Sequence, residues 1–151
     1  MKIALAQLDY TVNHIDGNRR KIVEAIRQAR ERHVDLVVFS ELSICGYPPY
    51  DLLHSEDFIN HCTAAIGEIA KHCEGIAAIV GAPFKDSKRA VNKLHNSAYL
   101  LANGTIAGVN HKVHFSTRDV FDEHRYFSPG KGFETFEVNG KMVTITIGNE
   151  L

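Results

Sequence analysis

The sequence predicts an α/β fold in which helices cover a sheet whose later strands form hairpins. Two observations support this prediction. Short apolar runs at residues 2–8, 34–39 and 76–80 have little polar alternation, as in strands that are covered on both faces. Between these runs, apolar residues recur every three or four positions, as on amphipathic helices. This alternation of strand and helix is typical of a layered α/β domain.

Each helix has its own local signal. The first helix is predicted over residues 18–32, where Ile22, Ile26 and Ala29 share one face and basic side chains occupy the other. A second helix is predicted over residues 56–73. It follows a Gly- and Pro-rich segment, CGYPPYDLL, which can continue neither a helix nor a strand.

Hairpins are predicted in the second half of the chain, because Asn103-Gly104 and Asn139-Gly140 are typical of type I′ turns. The strands predicted beside these turns lie at residues 97–101, 105–110, 133–138 and 142–147. The predicted order is therefore β-α-β-α-β-β-β followed by another hairpin. No repeat or linker divides the 151 residues, and one domain is expected.

The composition excludes several classes of protein. With 17 basic and 18 acidic residues, the chain lacks the basic surface of a nucleic-acid binder. No apolar run is long enough to span a bilayer, and the N-terminus lacks the apolar core of a signal peptide. The 3 cysteines are an odd number without the spacing of a disulfide framework. These features predict a protein of the reducing cytoplasm.

Glu41 is the first candidate for a chemical role, because it ends a buried strand and opens the Gly- and Pro-rich loop. Active sites of α/β folds tend to lie at the carboxyl ends of strands. A partly buried carboxylate at such a place can serve as a general base. The alternative is a helix cap or a solvent-facing carboxylate, and the local pattern alone favours that alternative.

Two further residues are candidates with equally plain alternatives. Lys112 follows a predicted strand and could stabilise an oxyanion in a closed site, or it could be a surface lysine. Cys45 lies four residues after Glu41 and could be a nucleophile. The loop between them gives no assurance of contact, so a buried cysteine that acts as a small apolar side chain is favoured.

Pairs of histidine and cysteine give a weak suggestion of zinc. His61-Cys62 and His72-Cys73 are adjacent pairs, and a further histidine pair is spaced three residues apart at 111 and 114. No cysteine or carboxylate stands at ligand spacing from that last pair. Helix faces and core cysteines explain the other two, so no metal site is expected.

Taken together, the motifs resemble the nitrilase, or carbon-nitrogen hydrolase, superfamily. MKIALAQLDYTV is similar to its opening strand, and DLVVFSELSICGYPPYDLL is similar to the segment that carries its catalytic glutamate. IVGAPF, NSAYLLANG and the stretch from HKVHF to VFDEHRYFSPG follow in the family's order. GYPPYDLL is typical of the glutaminase domain of glutamine-dependent NAD synthetases. The resemblance implies a nitrilase-like α-β-β-α sandwich, of which residues 1–151 correspond to the first half.

The resemblance also implies roles for individual residues. Glu41 would be the general base, Lys112 the residue that stabilises the oxyanion, and Glu123 an additional glutamate that supports them. Phe121 would line the glutamine pocket. In the family, a cysteine thiolate attacks the glutamine carboxamide, ammonia leaves, and the glutamyl thioester is hydrolysed.

Two positions depart from the family's pattern. The nucleophile of the family follows a strand in a pattern similar to I-C-E-D-L, where this chain reads IGNEL, so Gly148 stands at the cysteine position. Arg118 stands where the family tends to have a tyrosine that helps to hold the substrate. Glycine has no side chain that can attack a carboxamide, and loss of a nucleophile removes orders of magnitude from a rate. The chain is therefore predicted to be inactive as it stands.

The same resemblance implies which cofactors and partners to expect. The domain itself would need no cofactor, ATP would be used by a synthetase domain outside these residues, and the substrate would be glutamine or another small amide. Sheet faces that lack their later strands favour self-association, so a homo-oligomer is expected. Two alternatives stay open. One is a stand-alone nitrilase-type amidase, against which GYPPYDLL argues. The other is a non-catalytic pseudo-amidase that acts as a binding or assembly module, which Gly148 and Arg118 favour.

Overall fold

The computed structural model describes residues 1–87, 93–115, 122–148 and 150. Within these residues the chain forms seven strands, two α-helices and two short 3-10 helices. The strands are β1 (Ile3–Ala6), β2 (Leu36–Phe39), β3 (Ala77–Asp86), β4 (Lys93–Ala102), β5 (Thr105–His111), β6 (Thr135–Val138) and β7 (Lys141–Thr144). The α-helices are α1 (Ile15–Glu31) and α2 (Glu56–Ala70), and the 3-10 helices are Tyr50–His54 and Glu123–Arg125.

Five of the described strands form one mixed sheet in the order β1-β2-β3-β4-β5. The first three are parallel, and the last three pair antiparallel with one another. Parallel neighbours need a crossover connection, which α1 supplies between β1 and β2 and α2 supplies between β2 and β3. The predicted α/β fold and the predicted order of its elements are therefore confirmed.

The larger part of the core lies between this sheet and the two helices. Ile22 and Ile26 of α1 and Ile66 and Ile69 of α2 are at most 1% exposed, and they pack in one cluster with strand residues such as Val80. Burial of each such side chain contributes about 1.5–3 kcal/mol. Among the described residues, no helix has the length and apolar character that crossing a bilayer requires.

The opposite face of the sheet is only partly covered. The β6–β7 hairpin and the residues after it place Val138, Ile145 and Ile147 against this face, and all three are buried. Ile3 and Leu5 of the edge strand β1 remain 50% and 76% exposed. The hairpin therefore covers the middle of the sheet and leaves the β1 edge open.

Several elements differ in length from the predictions. Helix α1 begins at Ile15, three residues before its predicted start, because the Asn18 amide donates to the His14 carbonyl at 2.9 Å and so opens the helix there. The ring of His14 lies against Gly17 in this first turn. A Cβ at this glycine would lie 1.9 Å from the His14 Cδ2 atom. Strands β3 and β4 reach Asp86 and Lys93, beyond their apolar residues, because their antiparallel pairing continues to that point. The segment predicted to be irregular contains one short 3-10 helix, and α2 ends three residues early.

Both predicted Asn-Gly turns have the backbone that a type I′ turn requires. Asn103 and Gly104 have φ values of 51° and 72°, and Asn139 and Gly140 have φ values of 48° and 71°. Type I′ turns need positive φ at both central residues, which asparagine and glycine adopt most readily. The Asn-Gly pairs therefore fix the β4–β5 and β6–β7 connections.

Candidate active site

Glu41 lies in a tight turn directly after β2, and a glycine on the neighbouring strand makes that turn possible. A Cβ at Gly81 of β3 would lie 2.4 Å from the backbone nitrogen of Leu42 and 2.8 Å from the carbonyl oxygen of Ser40. The backbone of the turn therefore rests directly on β3. The Ser43 hydroxyl donates to the Gly81 carbonyl at 3.4 Å and accepts from its amide at 3.3 Å. These contacts fix the direction in which the Glu41 side chain leaves the sheet.

Lys112 follows β5 at the same end of the sheet at which β2 leads into Glu41. Its backbone amide donates to the carbonyl of Asn96 in β4 at 2.8 Å, so the residue continues the ladder for one more bond. β2 and β5 are separated by three strand spacings, roughly 14 Å in all. Only long side chains can meet across that distance. Lys112 Nζ nevertheless lies 2.8 Å from Glu41 Oε1.

Four polar side chains form a closed ring of hydrogen bonds at this end of the sheet. Lys112 Nζ donates to Glu41 Oε1 and, at 2.7 Å, to Glu123 Oε2. The side-chain amide of Asn96 donates to Glu41 Oε1 at 2.6 Å and to Glu123 Oε1 at 2.9 Å. Glu123 opens the second 3-10 helix and is 2% exposed. Each carboxylate thus accepts one hydrogen bond from the lysine and one from the asparagine.

The ring favours the charged form of Lys112. Burial disfavours the charged form of Lys112, but hydrogen bonds to Glu123 and Glu41 outweigh it and raise the pKa of the lysine. Lys112 is 5% exposed, so its ammonium group depends on these carboxylates for compensation. A retained ammonium group beside a reacting carbonyl is the arrangement that stabilises a developing oxyanion.

Gly148 lies beside this ring in a backbone conformation that favours glycine, with φ of +63°. A Cβ built on Gly148 would lie 3.0 Å from Lys112 Nζ and 3.1 Å from Glu41 Oε2. A Cβ here would be in tight contact with the lysine and with the Glu41 oxygen that accepts no hydrogen bond among the described residues, so these two groups would border a side chain at position 148. That is the place from which a nucleophile could be deprotonated by one group and assisted by the other.

The carboxylate of Glu150 holds this turn in place. It accepts from the backbone amide of Ile147 at 2.7 Å and from that of His114 at 3.0 Å, and it also accepts from the amide of Val113. Glu150 is 9% exposed. One buried carboxylate thus ties the turn at Gly148 to the segment that follows Lys112.

An open cleft leads to the ring along the partly covered face of the sheet. Its volume is about 420 Å³, and it runs between the sheet and the residues that follow β7. Apolar side chains such as Leu36, Ile79 and Ile147 line most of it, while Glu41 and Gly148 lie among its lining residues at the ring. The cleft therefore combines an apolar wall with a charged end.

The structure brings together Glu41, Lys112, Glu123 and Gly148, which are four of the predicted site residues. The other two, Phe121 and Arg118, lie outside the described residues. Sequence reasoning missed Asn96 and Glu150. A buried asparagine in the apolar run NSAYLL and a carboxylate two residues after the candidate nucleophile position were the available signals.

Cys45 does not take part in this site. It is fully buried, and its thiol donates to the Leu42 carbonyl at 3.6 Å. Its neighbour Cys62, together with burial, raises the pKa of the Cys45 thiol well above its ordinary value. A thiol held in its neutral form is a poor nucleophile, so Cys45 is a core residue.

The histidines near the site pack with one another. The rings of His95 and His111 stack with centroids 4.4 Å apart, and His111 Nδ1 lies 2.7 Å from the Ser97 hydroxyl. Burial, followed by the nearby His95, lowers the pKa of His111 to about 4. Within the described part of the chain, no group of three or more potential ligands is placed to hold a metal ion.

Comparison with known proteins gives consistent matches along the chain. Residues 2–150 match the family described as carbon-nitrogen hydrolase. A glutamine-dependent NAD(+) synthetase of Synechocystis sp. is 40% identical over 153 residues, which are 99% of this chain and 27% of that protein. The corresponding synthetase of Xylella fastidiosa is 38% identical over 154 residues, or 100% of this chain and 28% of that protein. The chain thus spans little more than a quarter of the length of these relatives.

Solved structures agree with these matches. The glutamine-dependent NAD+ synthetase from Acinetobacter baumannii superposes with a TM-score of 0.87 at 30% identity, covering 95% of this chain and 27% of that one. An amidase from Nesterenkonia sp. superposes with a TM-score of 0.79 at 20% identity, covering 97% of this chain and 54% of that one. The second likeness concerns the fold alone. These matches confirm the resemblance inferred from the motifs and the nitrilase-like fold.

Proposed function

Since the chain belongs to the carbon-nitrogen hydrolase family, we propose that it forms the N-terminal part of the glutamine-hydrolysing domain of a glutamine-dependent NAD synthetase. The relatives that support this proposal carry that name and match 99% and 100% of this chain at 40% and 38% identity. The substrate class that follows is a small carboxamide, with glutamine as the specific case. In the complete protein, ATP would serve the synthetase portion.

The observation that carries the proposal is the position of Lys112 between two carboxylates, next to residue 148. Glu41 is assigned as the general base, because its Oε2 is one of the three atoms nearest to the Cβ position of residue 148 and so borders any side chain there. Lys112 stabilises the oxyanion, because its ammonium group lies 3.0 Å from the same position. Glu123 supports the lysine through the 2.7 Å bond between Oε2 and Nζ. Phe121 and Arg118 are assigned to the amide pocket on the family resemblance alone.

Gly148 determines how far this chemistry proceeds. A thiolate at this position would attack the carboxamide carbon, ammonia would leave with a proton delivered by the base, and water would cleave the thioester. Glycine supplies no thiolate, so the chain with Gly148 binds and polarises an amide without forming the thioester. The proposed state of this chain is therefore an assembled but inactive glutaminase site.

Restoring the thiol tests the proposal, and the chain offers a matched control. Gly148→Cys and Gly140→Cys each place a cysteine at a positive φ, of +63° and +71° respectively, but no atom lies within 4 Å of a Cβ at position 140. Incubation with glutamine, followed by intact-mass measurement and an ammonia assay, is expected to show a glutamyl adduct only for Gly148→Cys. Unsubstituted chain should release no ammonia. Ammonia release by the unsubstituted chain, or equal behaviour of the two cysteine variants, would contradict the proposal.

The second candidate function is a non-catalytic binding or assembly module. Gly148 favours it, and so does the 50% and 76% exposure of Ile3 and Leu5 at the uncovered sheet edge. We propose a homo-oligomer formed through this edge for that case. Sedimentation of the unsubstituted chain and of Leu5→Lys tests it. Concentration-dependent association that the lysine variant abolishes supports the module, and a monomer at all concentrations contradicts it.

A further inference from the structure

Asn96 stands out among the buried polar residues, because its side chain serves two carboxylates at once. It is 1% exposed and lies on the interior strand β4, at the end of the sheet where the ring is. Its Nδ2 donates to Glu41 at 2.6 Å and to Glu123 at 2.9 Å. Among the described residues its Oδ1 has no hydrogen-bond partner. The amide is therefore oriented entirely by what it donates.

The orientation of this amide follows from electrostatics. Turning it over would place Oδ1 against two carboxylate oxygens, and acceptors facing acceptors repel one another. A buried acceptor without a partner is unfavourable, and it is tolerated here because both donated bonds end on charged groups, which are the stronger kind. The side chain of Asn96 is thus committed to the two glutamates.

This commitment decides which oxygen of Glu41 faces residue 148. Oε1 accepts from both Lys112 and Asn96, so its lone pairs are engaged. Oε2 receives neither of these bonds and lies 3.1 Å from the Cβ position of Gly148. Turning the carboxylate away from this position would break both hydrogen bonds. A half-turn restores them only by exchanging two equivalent oxygens, so one oxygen stays engaged and the other faces residue 148.

We propose that Asn96 is a positioning residue, which anchors Glu41 through Oε1 and so presents Oε2 as the proton acceptor for residue 148. The assignment of Glu41 as a base rests on the proposed function, whereas the anchoring of its side chain by Asn96 does not. The backbone carbonyl of Asn96 separately accepts from the Lys112 amide at 2.8 Å, a bond that any residue at position 96 could make. The side chain is therefore not needed for the sheet ladder.

Alkylation of a thiol at position 148 measures this positioning without any glutamine chemistry. In the Gly148→Cys chain, the rate of reaction with iodoacetamide is followed against pH, with and without Asn96→Ala. While Oε2 is held beside the thiol, its negative charge and the hydrogen bond that it accepts from the S–H disfavour the thiolate. Loss of the Asn96 amide removes one of the two anchors of Glu41, so the carboxylate moves away and the thiolate beside Lys112 is more favoured. The midpoint of the profile is expected to move downward by about one pH unit, with up to roughly tenfold faster alkylation at pH 7.

Asn110 provides the matched control. It is a fully buried asparagine on the adjacent strand β5, where its amide donates to the Ile145 carbonyl at 2.9 Å, and it accepts from the Glu134 amide at 3.0 Å. Asn110→Ala in the Gly148→Cys chain should destabilise the fold without moving the alkylation midpoint. If the two alanine variants give the same profile, Asn96 has a structural role only and the proposal is wrong.

A second measurement remains decisive if Asn96→Ala fails to fold. In the unsubstituted chain, the side-chain amide resonances of Asn96 are recorded by nitrogen-proton correlation, then again in Glu41→Gln. The proposal requires the Asn96 pair to shift while the Asn110 pair stays in place. Unchanged Asn96 resonances would overturn it. Neither readout uses glutamine, so failure here is distinguishable from failure of the proposed glutaminase activity.

Discussion

Replacement of Lys112 by methionine tests whether the buried ring of charges is one unit. Methionine keeps the length and the apolar stem of lysine but removes the ammonium group. In the native chain that group is 5% exposed and bridges two carboxylates that are 2% and 23% exposed. The substitution leaves both carboxylates with Asn96 as their remaining donor. It therefore creates uncompensated buried charge rather than merely deleting a contact.

The expected loss follows from that geometry. Removing one partner of a buried ion pair costs about 3–5 kcal/mol, because the remaining charge stays desolvated. A small domain has a free energy of unfolding of roughly 5–15 kcal/mol, so the loss amounts to about a fifth of it or more. With a urea m-value of about 2 kcal/mol/M, the unfolding midpoint should fall by about 2 M.

Urea unfolding at neutral pH measures this loss, and Lys71→Met serves as its control. Lys71 also lies 2.6 Å from a glutamate, Glu68, but the two side chains are 65% and 54% exposed. Water screens such a pair, so this variant should keep the native midpoint. If Lys112→Met shifts the midpoint no further than Lys71→Met, the ring does not stabilise the fold as argued.

The pH dependence of the same experiment has a fixed sign. Hydrogen bonds to the carboxylates raise the pKa of Lys112 above its ordinary value of 10.5. A raised lysine pKa contributes stability that is fully present below the unfolded value and is lost as the pH rises through the folded value. The difference in urea midpoint between the native chain and Lys112→Met should therefore stay constant from about pH 6 to about pH 9 and shrink only above about pH 10.5.

Three further predictions concern other buried groups. Glu150→Gln leaves one oxygen to serve three backbone amides, so the free energy of unfolding should fall by about 1–3 kcal/mol and those amide protons should exchange faster; unchanged exchange would contradict this. His111, whose pKa burial lowers from 6.5 to about 4, resists protonation in the fold, so stability should decline as the pH falls from 6.5 towards 4. His111→Gln should flatten that decline in urea midpoints, and an equally steep decline would refute it. The three cysteines, Cys45, Cys62 and Cys73, are fully buried. Their reaction with a thiol reagent should rise with urea concentration along the unfolding curve, and fast labelling of the native chain would contradict this prediction.

The fold was predictable where local pattern and tertiary packing agree. The apolar spacing of α1, the strand runs that became β1 and β2, and the two Asn-Gly turns all carry their signal within a few residues. The outer ends of β3 and β4 carry none. Asp86 and Lys93 are polar, and they belong to strands only because each pairs with the other across the ladder. Pairing of this kind is a property of two segments and is invisible in either one.

The site was predictable from motifs but not from local chemistry. Glu41 and Lys112 are 71 residues apart, and their contact exists only because β2 and β5 end at the same edge of one sheet. The local pattern of each therefore favoured an ordinary surface role. The signal of Asn96, a polar residue in the apolar run NSAYLL, is weak on its own, since an asparagine in an apolar strand becomes informative only when its register places it between two carboxylates.

The ring also explains why the polar site can exist without a nucleophile. Lys112 can be buried only if carboxylates compensate its charge, and Glu123 can be buried only if donors surround it. Each member therefore satisfies another, and none of the four bonds in the ring involves residue 148. A chain that carries Gly148 therefore keeps all four bonds. Under the proposed function, these four side chains stabilise the site whether or not residue 148 can carry out the covalent step.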